Sequence, residues 1–337
     1  MSHPEVAARG NPLARLLLVR PGEWTRLVLA FAYFFFLLGG YFMLRPLRGT
    51  VAASNADVLH WLYTATFTCM VLLVPVFGWL VAHFRRSRFI PTIYLFFFAN
   101  LLAFAGAFDD AATPVLVQRV FYVWLSVFNL FVVSVFWSFM TDIFRPGEAQ
   151  RLFGTIMAGG SLGAIAGPLA TAQWVAEIGA RGVMQAAAAC LLVALGLAVV
   201  LGRWAREHHE GAPDTVIGGG VWEGATRVFR SRYLLYACLL MLCHNLASTF
   251  LYNGLAVLVD RGIQGFAART EFFSYVDLAV QVIAFSLQFF ITARLVRYAG
   301  MPRTLVMVPA VLTFCFVLLG SSLGLVLFAA VQVVQRA

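Results

Sequence analysis

The sequence predicts an all-α polytopic membrane protein, and two observations support this fold class. Ten runs of roughly 15 to 27 residues carry almost no charge; residues 27–44 form a run of 18 and residues 89–108 a run of 20. A helix needs about 20 apolar residues to cross a bilayer core of about 30 Å. The 337-residue chain is also 61% hydrophobic and only 12% charged. Helices of soluble proteins need a polar face, so this repeated pattern excludes a soluble protein.

The apolar runs predict ten transmembrane helices. In chain order they cover residues 24–47, 58–83, 89–108, 116–141, 153–176, 182–203, 233–258, 271–295, 303–319 and 322–337. The longest polar segment, residues 203–232, follows the sixth helix. Its last part, residues 221–232, mixes apolar side chains with three Arg, which is typical of an amphipathic helix lying on a membrane surface.

This order of helices predicts a domain organisation based on two parallel six-helix bundles. Residues 1–23 form an N-terminal cytoplasmic segment, residues 24–203 the first bundle, residues 204–232 a cytoplasmic linker, and residues 233–337 the second bundle. The second bundle is then incomplete, because only about four of its helices are present. We expect two further helices after Ala337.

The distribution of Arg predicts the orientation. All 24 basic side chains are Arg. If the N-terminus is cytoplasmic, 17 of them fall in inner segments and 6 in outer loops. The positive-inside rule then predicts a cytoplasmic N-terminus for this multi-pass protein, which we expect in the bacterial inner membrane. The net charge of +9 does not indicate nucleic-acid binding, because the Arg form no single patch. The expected partners are the lipid bilayer and a small-molecule solute, and the sequence sets no oligomeric state.

The sequence contains no motif for catalysis or for cofactor binding. Its five Cys lie inside apolar runs and lack metal-ligand spacing. It has no nucleotide-hydrolysis loop, nucleophile elbow or zinc motif. We therefore expect no enzyme activity, no cofactor and no metal, which excludes an energy-coupling ATPase within this chain.

The fifth predicted helix carries a glycine pattern made of Gly154, Gly163, Gly167 and Pro168. This spacing resembles the antiporter signature of the major facilitator superfamily. That signature ends in a further Gly-Gly, where this chain has Thr-Ala. Small residues on one helix face let a neighbouring backbone approach closely, and Pro168 is expected to bend the helix. The pattern predicts a helix-packing and gating role; ordinary small-residue packing is the alternative.

Two Arg at the end of the first predicted helix are candidates for substrate binding. Arg45 and Arg48 are three residues apart and flank Pro46, so they share a helix face. Such a pair can grip a phosphate or a carboxylate, and a cavity of low dielectric strengthens that grip. The alternative is that both side chains reach out to the lipid headgroups.

Four further polar residues of the apolar runs are candidate solute contacts. Asp277 lies inside the eighth predicted helix, and Gln281 faces the same way four residues later. A carboxylate inside a membrane helix is costly and points to function, either as a counter-charge to the Arg pair or as a proton carrier. A fixed structural ion pair is the alternative. Asn245 and Asn129 are each either solute contacts or interhelical hydrogen-bonding residues.

Several segments of the chain resemble bacterial relatives of the ATP/ADP translocases of plastids and intracellular bacteria. They are YFMLRPLR at 41–48, the runs at 61–67 and 72–81, FWSFMTDIF at 136–144 and RLFGTIMAGGSLG at 151–163. The resemblance covers residues 23–335 and implies a major-facilitator-like fold with nucleotide exchange as the family's founding activity. Two features depart from the family: Gly49 stands where an acidic residue generally follows, and the chain has no Lys in place of the membrane Lys of the nucleotide exchangers.

These observations predict a secondary transporter that moves a small anionic solute by alternating access, with ATP/ADP-type nucleotide exchange as one form of that activity. One alternative is proton-coupled efflux of amphipathic compounds, with Asp277 as the coupling acid. The other is a membrane scaffold or sensor that transports nothing.

Overall fold

A computed structural model of the chain describes residues 19–20, 22–83, 86–109, 113–208, 230–321 and 324–337. The described residues are almost entirely helical, which confirms the all-α class. The helices are α1 Trp24–Ser54, α2 Leu59–His83, α3 Arg86–Ala107, α4 Val115–Ile143, α5 Pro146–His208, α6 Arg232–Gly262, α7 Phe266–Ser286, α8 Ala293–Ala299, α9 Met301–Ser321 and α10 Leu325–Arg336. A π-helical turn, Leu287–Thr292, joins α7 to α8. The predicted amphipathic helix at 221–232 and most of the predicted N-terminal segment lie outside the described residues.

Six helices in the described part of the chain, α1 to α6, are long and apolar enough to cross a membrane. The predicted count of ten spans is not confirmed. The fifth and sixth predicted spans form one element, α5. α7 carries three charged residues, Arg269, Glu271 and Asp277, and is not among the six apolar helices. Pro309–Gly320 and Leu325–Arg336 are apolar but shorter than 18 residues. The arrangement in two bundles remains a prediction.

The first helix is longer than predicted, because Pro46 does not end it. It continues to Ser54 instead of stopping near residue 47. Residues 49–53 are all buried, so packing holds this stretch in the helix despite the backbone donor that Pro46 lacks. The hydroxyl of Thr50 donates to the carbonyl of Pro46 at 3.2 Å and so satisfies an oxygen within the same turn. Arg45 and Arg48 therefore lie inside the helix and not at its end.

α5 consists of two arms that meet at Gly179. Its φ of 65° and ψ of −179° break the helix, and a positive φ of this kind favours glycine. The break falls in the gap that the sequence predicts between residues 176 and 182. A Cβ at Gly182 would lie 2.5 Å from the Cβ of Ile178, so the tight reversal needs a second glycine. The chain stays helical through Pro168, where a bend is predicted.

The first arm of α5 packs closely against α1 through three glycines. A Cβ added at Gly159 would lie 2.6 Å from the carbonyl oxygen of Phe31, and one at Gly163 would lie 2.2 Å from that of Phe35. At Gly167 the corresponding distance to the carbonyl oxygen of Gly39 is 2.5 Å. Only residues without a side chain allow this approach, so these positions set the distance between the two backbones.

Charged residues join α1 to α5 on the side where α1 begins, here called the first side. Arg26 donates to both carboxylate oxygens of Glu148, at 3.0 and 2.7 Å. Arg151 pairs with Glu23 at 2.9 Å. Burial raises the pKa of Glu23. The hydrogen bonds from Arg151 and from the Arg20 backbone N–H, with the nearby guanidinium charges, outweigh burial and hold the pKa below its usual value. The carboxylate of Glu23 is thereby kept ionised against its Arg partners at neutral pH.

The later helices meet the earlier ones on the side where α1 ends, here called the second side. The hydroxyls of Thr50 on α1 and Thr270 on α7 are 2.8 Å apart, and both residues are fully buried. The ring of Phe273 lies against Gly49, so closely that a Cβ there would be 2.8 Å from the ring. Arg269 donates to the Ser54 hydroxyl at 3.2 Å. These contacts close the second side above a cavity that lies deeper between the same helices.

Candidate functional site

A cavity of about 200 Å³ lies between α1, α2, α6, α7 and α10. It is lined by Arg45, Arg48, Gly49, Tyr63, Ser248, Thr249, Tyr252, Phe273, Asp277, Gln332 and Arg336. Asp277 is eleven residues from the start of α7, a distance of about 16 Å along a helix, or half of a bilayer core of about 30 Å. The cavity therefore lies well inside α7 and not at its end.

Asp277 occupies the cavity as a buried carboxylate between two Arg. Only 5% of the residue is exposed. Arg336 of α10 donates to Oδ1 of Asp277 at 2.7 Å, which is a short, charge-assisted hydrogen bond. The Nε atom of Arg45 lies 3.8 Å from Oδ2, too far for a hydrogen bond. Asp277 is thus engaged by Arg336 first and by Arg45 at longer range.

Arg48 enters the cavity from α1 and is held by Tyr122 of α4. Its guanidinium carbon lies 4.0 Å from the centre of the Tyr122 ring, within the range of a cation–π contact. Its Nε donates to the backbone carbonyl of Tyr122 at 3.2 Å. Among the described residues it has no carboxylate partner. These two contacts fix the direction of the side chain and leave its positive charge uncompensated.

Two buried polar atoms of the lining have no hydrogen-bond partner among the described atoms. They are the hydroxyl of Tyr63 and Oε1 of Gln332. Buried polar atoms are normally satisfied, and exceptions point to a missing ligand or water. The Tyr63 hydroxyl can donate to an anion held at Arg48.

The structure brings together three of the six predicted solute contacts: Arg45, Arg48 and Asp277. The other three, Gln281, Asn245 and Asn129, are not among the lining residues. Asn245 is exposed and donates to the carbonyl of Met241 in its own helix at 2.7 Å. Of the glycine pattern, Gly163 and Gly167 contact α1, whereas a Cβ at Gly154 would meet no atom within 4 Å. Packing at two of the three glycines is therefore observed, and the gating role remains a prediction.

Sequence reasoning missed several lining residues, and Arg336 is the most important of them. It is the one Arg that falls in neither group of the orientation count, since it lies near the end of the last apolar run. A signal for it exists: Gln332 and Arg336 are four residues apart and share one face of an otherwise apolar helix. Tyr63 and Thr249 carry no comparable signal, since single Tyr and Thr are common in apolar helices.

The electrostatics of the cavity favour anions. Three guanidinium groups face one carboxylate, so the lining carries an excess of positive charge. Charges at this depth are costly without compensation. Planar guanidinium groups bind carboxylates and phosphates through paired hydrogen bonds. No cluster of His, Cys, Asp and Glu suited to a metal ion occurs in the part of the chain that the structure describes.

Comparison with known proteins agrees with this architecture. The Major Facilitator Superfamily profile matches residues 29–334, nearly the whole chain. That match is to the superfamily as a whole and does not single out the ATP/ADP translocases. No curated protein and no solved structure matches the chain. The profile is consistent with the observed fold, in which apolar helices surround a charged cavity. The chain belongs to the Major Facilitator Superfamily of membrane transporters.

Proposed function

We propose that this transporter carries a small anionic solute, bound in the cavity by Arg45 and Arg48 with Asp277 as their counter-charge. The observation that carries the proposal is that these three residues, from α1 and α7, line one cavity between the helices. Arg48 supplies a fixed positive charge, since Tyr122 orients it and no described carboxylate neutralises it. An entering anion supplies the missing negative charge.

Movement of the solute requires the second side to open. The contacts to be broken are the Thr50–Thr270 hydroxyl pair, the Phe273 ring on Gly49 and the Arg269–Ser54 hydrogen bond. Each joins α1 to α7, and each is small enough to break and re-form. The buried residues of α6, Leu251 to Val259, lie towards the same side, whereas Tyr233 at its start is 80% exposed. This one-sided contact supports an alternating-access cycle.

Nucleotide exchange is the form of anion transport that the resemblance to the ATP/ADP translocases favours. The runs at 41–48 and 136–144 carry that likeness. Proton-coupled efflux of cationic or amphipathic compounds is less well supported, because Asp277 already faces two Arg and offers no free negative charge to a cation.

The test is solute flux in proteoliposomes that contain the purified protein. Uptake of radiolabelled phosphate, succinate and ATP is measured with and without unlabelled anion inside. We expect uptake of at least one anion, loss of it in Arg48→Ala, and weakened uptake in Arg48→Lys, which keeps the charge but loses the planar fork. Asp277→Asn should alter the rate or the pH dependence of flux.

Arg261 provides a matched control, because it is exposed at the end of α6 and lies outside the cavity. Arg261→Ala should transport like the wild type. Wild-type flux in the Arg45→Ala/Arg48→Ala double variant would remove the cavity as the solute site. A complete lack of flux for every solute class would instead favour a scaffold or sensor.

A further inference from the structure

We infer that Arg336 makes the cavity selective for dianions, such as a phosphate or a short dicarboxylate, over monoanions. This inference rests on the proposed anion transport and specifies its substrate class. It concerns a residue that the transport proposal does not require, since Arg45 and Arg48 alone could hold an anion.

The first step is the count of charges that face the cavity. Among the described lining residues, the charged groups are Arg45, Arg48, Arg336 and Asp277. Three positive charges against one negative leave an excess of two. The lining also contains two Tyr, Tyr63 and Tyr252, which are neutral at pH 7, and His244 on α6, 3.2 Å from Gln335, is not a lining residue. A solute with two negative charges would make the occupied cavity neutral.

The second step concerns which Arg the carboxylate neutralises. Asp277 accepts a hydrogen bond from Arg336 at 2.7 Å but is 3.8 Å from Arg45. Arg336 therefore occupies the carboxylate and leaves both Arg of α1 to the solute. Without Arg336, Asp277 would pair with Arg45, and only Arg48 would remain uncompensated. Arg336 thus acts through Asp277 and sets the number of charges that the solute must bring.

The third step is the spacing of the two free Arg and the size of the cavity. Arg45 and Arg48 are three residues apart, about 4.5 Å along the helix axis, so they can reach one phosphate or the two ends of a short diacid. The cavity of about 200 Å³ is large enough for solutes of the size of phosphate and succinate.

The experiment compares binding of dianions and monoanions to four forms of the full chain in detergent. Succinate, inorganic phosphate at pH 8 and acetate are titrated by calorimetry against the wild type, Arg336→Gln, Asp277→Asn and the Asp277→Asn/Arg336→Gln double variant. The wild type should prefer a dianion to acetate by at least about tenfold. Succinate and phosphate are separate arms and show which of the two chemistries the site takes.

The two Arg336 variants give opposite expectations. Arg336→Gln leaves one excess positive charge, so dianion affinity should fall by about tenfold or more while acetate affinity changes by less than about threefold. The double variant again leaves two excess charges, on Arg45 and Arg48, and should recover the dianion preference. A purely structural role for Arg336 would not produce this recovery. The double variant also removes a buried ion pair as a unit, which is tolerated better than the loss of one partner.

The outcomes separate the two proposals. If the wild type binds and transports anions but the double variant fails to recover the preference, or Arg336→Gln weakens acetate and dianions equally, the inference is wrong and anion transport stands. Acetate binding as tight as that of succinate and phosphate would also overturn it. If the wild type binds and transports no anion of any kind, the proposed function itself is wrong, and the inference falls with it.

Discussion

Replacement of Gly163 by Ala should destabilise the protein more than its size suggests, because it forces two helices apart. The added Cβ would lie 2.2 Å from the backbone oxygen of Phe35 and 3.0 Å from the backbone nitrogen of Gly39. Carbon–oxygen contacts are normally about 3.3 Å or longer. Neither backbone atom can rotate away as a side chain could. α1 and α5 must therefore separate locally by about 1 Å.

This separation weakens the contacts on both sides of Gly163 as well. Gly159 and Gly167 lie one turn away in either direction, and both approach α1 as closely. A radial gap of about 0.5–1 Å forfeits a quarter to a half of the dispersion energy of each contact. Overpacking of this kind costs about 1–3 kcal/mol.

Gly154 gives a matched control on the same helix. It is exposed, and an added Cβ there would meet no atom within 4 Å. Gly154→Ala should stabilise the helix by about 0.5–1 kcal/mol, because Ala loses less conformational entropy than Gly in a helix. The two variants should therefore differ by about 1.5–4 kcal/mol.

The assay is thermal unfolding of both variants in detergent, followed by the intrinsic fluorescence of the eight Trp. Gly163→Ala should unfold several degrees below the wild type and Gly154→Ala at or slightly above it. Equal midpoints for the two variants would refute the reasoning, because the packing distance between α1 and α5 would then not depend on Gly163.

Two further predictions concern the orientation and the closed second side. The first uses a background without the five native Cys. There, Ser87→Cys and Asp109→Cys should react with an impermeant reagent from opposite sides of the membrane, because the 22-residue α3 lies between the two positions. Labelling of both from one side would contradict the helix map. Thr50→Cys/Thr270→Cys should cross-link on oxidation, since the native hydroxyls are 2.8 Å apart, and should lose transport until a reductant is added. Each single Cys variant is its control, and a fully cross-linked protein that still transports would exclude the opening of this contact.

The fold class could be predicted from the sequence because hydrophobic runs of membrane length are a local property. The start of α1 at Trp24, the two ends of α2 near residues 59 and 83, and the break between the arms of α5 agree with the predicted boundaries within a few residues. The close approach at Gly163 and Gly167 was also visible, since residues four apart lie on one face of a helix. Each of these features depends only on neighbours along the chain.

The end of α1 could not be predicted in the same way. Pro46 normally favours the end of a helix, and local reasoning placed that end near residue 47. The helix continues because residues 49–53 are buried against other elements, including Phe273 and Thr270 of α7. Tertiary packing decided the outcome, and it places Arg45 and Arg48 within the helix and not at its end.

The candidate site could likewise be predicted only in part, because charged residues gave a clear signal and neutral polar residues did not. A charge inside an apolar run is conspicuous in any sequence, which is why Arg45, Arg48 and Asp277 could be selected. Asn245 was selected by the same reasoning and does not line the cavity, because an Asn can satisfy itself within its own helix, as it does here with Met241. A neutral polar residue therefore gives a weaker signal than a charged one.

Arg336 shows why the charge balance of such a site needs the structure. Its partner Asp277 is 59 residues away in the chain, and no local pattern links the two. The sequence offers Asp277 either as a counter-charge to the Arg pair of α1 or as a proton carrier. In the structure Asp277 accepts a hydrogen bond from Arg336 and lies at longer range from Arg45. A single tertiary hydrogen bond thus changes which positive charges of the cavity are neutralised, although every residue involved is plain in the sequence.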